Sequence, residues 1–110
     1  MPKLKLISLV CNAPQDWDGT DETYIRIAGK RVWGPEKMKA MSVEDLEKQL
    51  PAYRFQKKIR IDLYEQDTHW FKKDDHLGRT YARANMVGGE WEHQFRGLGS
   101  SYLLKFKVIL

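Results

Sequence analysis

Strict alternation of apolar and polar positions marks two stretches of the chain. Ile59, Ile61 and Leu63 alternate with Lys58, Arg60, Asp62 and Tyr64, which predicts a strand within Phe55–Glu65 that has one wet face. Tyr102, Leu104, Phe106, Val108 and Leu110 share one side of a final predicted strand, Tyr102–Leu110. Leu4–Cys11 differs: its apolar run is nearly continuous, the pattern of a central strand or of a strand broken by a bulge. In Thr23–Ala28, Ile25 and Ile27 face one way and Tyr24 and Arg26 the other. Ala28-Gly29-Lys30 reads as a tight turn into a short strand, Lys30–Trp33, which Gly34-Pro35 should end. Arg79–Ala84 and Trp91–Phe95 are further short strands, separated by turns at Gly88-Gly89 and at Gly97 and Gly99. Residues 35–52 carry the helical signal: Ser42 as cap, Asp45 three residues on, a stripe of Val43, Leu46 and Leu50, and Pro51 as the stop.

Seven or so short strands with closely spaced glycine turns predict an all-β fold, an antiparallel two-sheet β-sandwich with one short helix in a connection. The 110 residues suit one domain, 1–110. A hydrophobic share of 42% can fill its core, and a charged share of 31% suits a wet surface. The net charge of +4 is scattered except at Lys57-Lys58-Ile59-Arg60, where alternation puts Lys58 and Arg60 on a solvated face; no nucleic-acid partner is expected. Cys11 is the one cysteine, so no intramolecular disulfide forms; it closes an apolar run and reads as a buried, inert thiol. The N-terminal residues lack a signal-peptide pattern, and no stretch is long enough to span a bilayer. The expected address is the cytoplasm, with export by a signal-less route as the alternative.

The candidate chemistry lies in two acidic loops. Asp16-Trp17-Asp18-Gly19-Thr20-Asp21 places three carboxylates around a glycine turn, just before a strand. Glu65, Asp67, Asp74 and Asp75 follow another strand and lead to Gly78. Carboxylates that converge repel one another unless a cation sits among them. Brought to one end of a sheet, the two loops would make an oxygen-rich cage for a hard cation; calcium suits it better than magnesium, which demands octahedral order. Asp18, Asp21, Glu65, Asp67 and Asp75 are the leading ligands, with Asp16 and Asp74 as alternates. The competing reading is a set of solvated turn acids, neutralised by Arg79 or by Lys72-Lys73.

Aromatic residues mark the same loops: Trp17 in the first, Trp70 and Phe71 in the second, beside Lys72 and Lys73. Exposed there, they would contact an anionic membrane interface or anchor a partner protein; folded back, they would staple the loops. A paired-carboxylate hydrolase needs one acid in an apolar site, whereas these lie at glycine turns near lysines. His69 and His76, seven apart in the second loop, have no metal-motif spacing and read as solvated loop histidines. The protein is therefore not expected to be an enzyme.

The loops resemble those of the C2 domain, the calcium-dependent phospholipid-binding module of protein kinase C and synaptotagmin. In that family an Asp, a Gly turn and Ser-Asp-Pro-Tyr enter a strand; here Asp16, Gly19 and Thr20-Asp21-Glu22-Thr23-Tyr24 do so. The family's Asp-x-Asp at a strand end, then Asp-x-Ile/Leu-Gly, is matched by Glu65-Gln66-Asp67 and Asp75-His76-Leu77-Gly78. The loop-one proline is replaced by Glu22-Thr23, Glu65 stands for Asp, and the family's Asn-Pro-x-Trp-Asn-Glu stretch is missing. The resemblance implies a non-catalytic calcium-binding module that contacts an anionic phospholipid membrane or a partner protein through its loop end. The alternative is a calcium-stabilised structural or adaptor subunit of an assembly that binds no membrane.

Overall fold

The computed structural model describes residues 1–16, 19–67 and 73–110. Its strands are β1 (Lys3–Ala13), β2 (Thr20–Ile27), β3 (Lys30–Lys39), β4 (Val43–Asp45), β5 (Tyr53–Arg54), β6 (Lys58–Glu65), β7 (Asp75–Arg83), β8 (Glu90–Phe95) and β9 (Ser101–Ile109). One helical turn, α1 (Leu46–Gln49), separates β4 from β5. The first sheet runs β4-β1-β9-β8, and β5 pairs with β1 at Lys3 and Leu4, beyond the reach of β4. The second sheet runs β3-β2-β6-β7. The named strands pair antiparallel throughout, and the expected β-sandwich is what forms. No helix among the described residues is long and apolar enough to cross a membrane.

The near-continuous apolar run of β1 has both of its expected causes. The strand is central, and its pairing with β9 shifts register between Leu6 and Ser8. Leu4 and Leu6 are buried before the bulge, Leu9 and Cys11 after it. The extra residue moves the inward face from even to odd positions, so strict alternation is lost without losing the core. Across the sandwich the odd positions of β2 and β6 face inward, and Ile25, Ile27, Ile61 and Leu63 meet Leu104, Phe106 and Val108 of β9.

Two expectations are corrected. Gly34-Pro35 does not end β3, which runs on to Lys39. The register of β3 on β2 slips between Thr23 and Ile25, and Gly34 enters this bulge at φ +82°. Because β3 is an edge strand, Pro35 can lack an N–H without breaking an interior ladder. The second correction is the helix. Val43–Asp45 is a strand on β1, paired Ser8 to Asp45 and Val10 to Val43, and Val43 is 62% exposed. Asp45, not Ser42, caps α1 by accepting from the Lys48 N–H at 3.3 Å. A two-turn helix gains little by itself, whereas the edge of β1 offers backbone partners, and pairing wins.

Four connections gather at one end: β1–β2, β3–β4, β6–β7 and β8–β9. Pairing of Thr20 with Lys39, Thr23 with Glu65, Val10 with Val43 and Ala13 with Ser101 fixes this. Both acidic loops are among them.

The bulge yields a test. A Cβ at Gly34 would overlap the Thr23 carbonyl oxygen and stand 2.9 Å from Tyr24 Cα, while one at Gly88, also at positive φ, meets nothing within 4 Å. Gly34→Ala should destabilise by about 2–4 kcal/mol and Gly88→Ala by about 1 kcal/mol in urea unfolding, the difference being the clash. Equal effects would mean that the bulge yields freely.

Candidate metal centre

Strand parity builds the site. The inward face of β2 is Asp21, Thr23, Ile25 and Ile27, and that of β6 is Ile59, Ile61, Leu63 and Glu65; each of these is buried. Asp21 and Glu65 thus lie on the core face, at the loop end of their strands. Asp21 anchors the first loop. Its Oδ1 accepts from the Asp16 N–H at 2.8 Å, and its Oδ2 from the Gln15 N–H at 2.7 Å and the Tyr102 hydroxyl at 2.6 Å. Burial, then the bond to Asp21, pushes the Tyr102 phenol far up, so it stays a donor. The buried Cys11 thiol beside it is also pushed up by burial. Three of the roughly four lone-pair sites of the Asp21 carboxylate are used in this way.

Carboxylate oxygens of Asp16, Asp21 and Glu65 all lie within 4.8 Å of one another. Burial, and then the charge and hydrogen bond of Asp16 with smaller pushes from Asp21 and Asp75, raises Glu65 to about 8. Asp75 stands directly opposite Glu65 in the β6–β7 register. The cluster therefore meets neutral pH by keeping a proton on Glu65 and bonding it to Asp16. Its donors are all oxygens, with neither His nor Cys among them, the set a hard divalent cation prefers. Such an ion would displace the proton and offset the repulsion that now holds it.

The remaining expected ligands divide. Asp74 turns to other partners: its Oδ1 accepts from the Asp67 N–H at 3.0 Å, its Oδ2 accepts from the Tyr24 hydroxyl, and Arg31 is 3.9 Å away. Asp67 thus has its backbone tied to Asp74, and Asp75 contributes charge at the rim. Asp18, with Trp17, Trp70, Phe71 and Lys72, lies outside the described residues, as does His69. Lys73 is exposed.

Arg79 does not neutralise the loop acids. It binds Asp62 on the outer face of the second sheet, Nε to Oδ1 at 2.7 Å, beside Arg60 at 2.9 Å and His76 at 2.8 Å. Burial raises Asp62, but the bonds and charges of Arg79 and His76 outweigh it and hold this acid below the usual carboxylate range. His76 is exposed as expected, but it lies in a strand, not a loop, and pairs with the buried Asp62. Two residues escaped the sequence reading: Met41 and Leu98, 76% and 60% exposed, in the β3–β4 and β8–β9 connections at the acidic end. Both sit at positive φ, which no pattern of apolar residues announces.

No family model matches the chain, and neither does any curated protein. Solved structures do. A C2 domain superposes over 100% of both chains, with a TM-score of 0.60 and 15% identity. A Drosophila C2-DSL-EGF1 structure matches over 98% of this chain and 66% of its own, with a TM-score of 0.52 and 8% identity. Human GIVD cytosolic phospholipase A2, in complex with methyl gamma-linolenyl fluorophosphonate and terbium chloride, matches over 98% of this chain and 17% of its own. Its TM-score is 0.52 and its identity 14%. The chain spans the whole of the first and only part of the other two. Its fold is C2-like.

The proton on Glu65 has a measurable sign. Its folded value, about 8, lies above its ordinary value of 4.5. Its contribution to stability is full below the lower value and is lost as pH rises through the upper one. Metal-free protein should lose on the order of 2 kcal/mol or more between pH 5 and 9 in urea unfolding, and Glu65→Gln should flatten that slope. A parent and a variant with the same slope would show that Glu65 is not the group that titrates.

Proposed function

We propose that the protein is a non-catalytic calcium-binding module that uses its acidic-loop end to contact an anionic membrane. The convergence of Asp16, Asp21 and Glu65, with Glu65 forced to keep a proton, carries this reading. Asp67 and Asp75, with Asp18 from the first loop, would complete the oxygen set together with carbonyls and water, and Asp74 would brace Asp67. Acids buried by their neighbours and relieved by a cation suit a switch better than solvated turns do.

The surroundings favour a membrane over a protein. Met41 and Leu98 project from the other two connections at this end, and Lys73 is exposed on the second acidic loop. The sequence adds Trp17 to the first loop and Trp70, Phe71 and Lys72 to the second. A bound cation would cancel the acidic charge and leave apolar and lysine side chains facing outward. Each lysine near an anionic surface contributes about 1 kcal/mol, and aromatic rings prefer the interface. The C2 fold found in a cytosolic phospholipase A2 agrees with this reading.

Calcium at about a hundred times its Kd should stabilise the protein by about 2.7 kcal/mol and raise its melting midpoint by several degrees. Glu65→Gln, which removes a ligand charge but fits the same space, should abolish the rise. An unmoved midpoint at millimolar calcium would mean that the acids are not a calcium site. With calcium the protein should sediment with phosphatidylserine vesicles but not phosphatidylcholine vesicles, less so after Met41→Asp. A calcium-dependent midpoint without sedimentation would instead favour a calcium-stabilised adaptor subunit.

A further inference from the structure

Strand β8 ends the first sheet, with β9 on one side and, among the described residues, no strand on the other. Its pairing with β9 runs from Glu90 to Phe95 without a register shift, so its outer row of backbone N–H and C=O groups is regular and unpaired. Sheet edges are usually guarded by lysine, proline or a bulge, and this strand has none of the three. Trp91 lies on it 41% exposed, its indole N–H donating to the Met86 carbonyl at 2.8 Å. A rigid, exposed Trp is the residue type that most often anchors an interface. Register sorts the other side chains. Trp91, His93 and Phe95 stand opposite the buried Phe106, Leu104 and Tyr102 and so share the core face. Glu90, Glu92 and Gln94 take the outer face, and the Arg96 guanidinium donates to the Gln94 side-chain oxygen at 2.9 Å on that same face. Along one face, then, the acids come first and the cation last.

We propose that a second copy of this chain pairs with the first along β8, antiparallel about a two-fold axis at His93. Glu90 then stands opposite Arg96 of the second copy, Glu92 opposite its Gln94, and Trp91 opposite its Phe95; the two-fold axis repeats each pair. Opposite charges, a carboxylate with an amide, and two aromatic rings are all favourable across strands, and no like charges face each other. Other registers are worse. Centring the axis on Glu92 sets that acid against its own copy, and centring it on Gln94 sets Trp91 against Gly97 and loses the aromatic pair. A slip by one residue would set the core face of one strand against the outer face of the other. A foreign peptide would find the same backbone groups, but the charge order of β8 complements that of β8 itself read backwards. The contact uses the same patch on both copies and therefore closes at two. Antiparallel pairing also turns the two acidic-loop ends in opposite directions.

The test is sedimentation equilibrium of the whole chain, with chelator present so that no cation bridges the copies. A contact one strand long is smaller than a standard interface, so a monomer–dimer equilibrium should appear within about 10 μM to 1 mM. Arg96→Glu makes both Glu90–Arg96 pairs repulsive and should weaken association by about tenfold. Adding Glu90→Arg to it restores opposite charges and should restore the dimer. Lys37→Glu changes the net charge as much as Arg96→Glu does, at an exposed position elsewhere, and should leave the dimer intact. Glu90 and Arg96 are exposed, so these changes spare the core. Amide exchange on the unaltered chain gives a second reading: residues 90–95 should be more protected at the high end of that range than at the low end. A chain that stays monomeric throughout, protection that rises only outside residues 90–95, equal loss in Lys37→Glu, or no rescue in the charge-swapped double variant would overturn the proposal.

Discussion

A buried hydrogen bond from the Tyr102 hydroxyl to Asp21 crosses between the sheets, from β9 to β2, at 2.6 Å. Elsewhere the sheets meet through apolar side chains, which press them together without fixing their ends. This bond fixes one end. The same carboxylate holds the N–H groups of Gln15 and Asp16, so the path of the first acidic loop depends on it. Losing the hydroxyl would leave a buried acceptor short of a donor, which costs more than the bond itself contributes.

The arrangement puts two demands on one small volume. Asp21 and Glu65 occupy the core face, where a charge is costly, yet they lie beside Asp16 and Asp75. Asp21 meets the demand with three donors. Glu65 meets it with a proton. A site poised in this way responds to pH through Glu65, and a cation bound there would have to compete with that proton.

Much of this was legible in the chain. Alternation in residues 58–64 and 102–110 predicted β6 and β9, and extending the parity of Ile25 and Ile61 outward places Asp21 and Glu65 on the core face. Both acidic loops were legible, but their meeting at one end was only a supposition until the pairing of Thr23 with Glu65 showed it. Other features could not be read. Whether Val43–Asp45 would coil or pair depended on the open edge of β1, which is a matter of three dimensions. Asp62 looked like any polar residue on a wet face, because the cations that bury it come from a neighbouring strand and from its own. Asp74 accepts from the hydroxyl of Tyr24, fifty positions away, and no local pattern encodes that pairing. Glu65 differed from its neighbours only in company: nothing in the type of residue foretold the proton it keeps.

The bulged edge of β3 has a further consequence. A free strand edge is a template on which another chain can add, and long flat edges promote fibre growth. At Gly34 and Pro35 this edge bends, and the proline offers no N–H to a newcomer. Lys30, Arg31, Lys37 and Lys39 stand exposed on either side, with Glu36 the one exposed acid of the strand, so a second copy aligned there would meet mostly like charge. The bend, the missing donor and the cations all work against adding a further strand at β3.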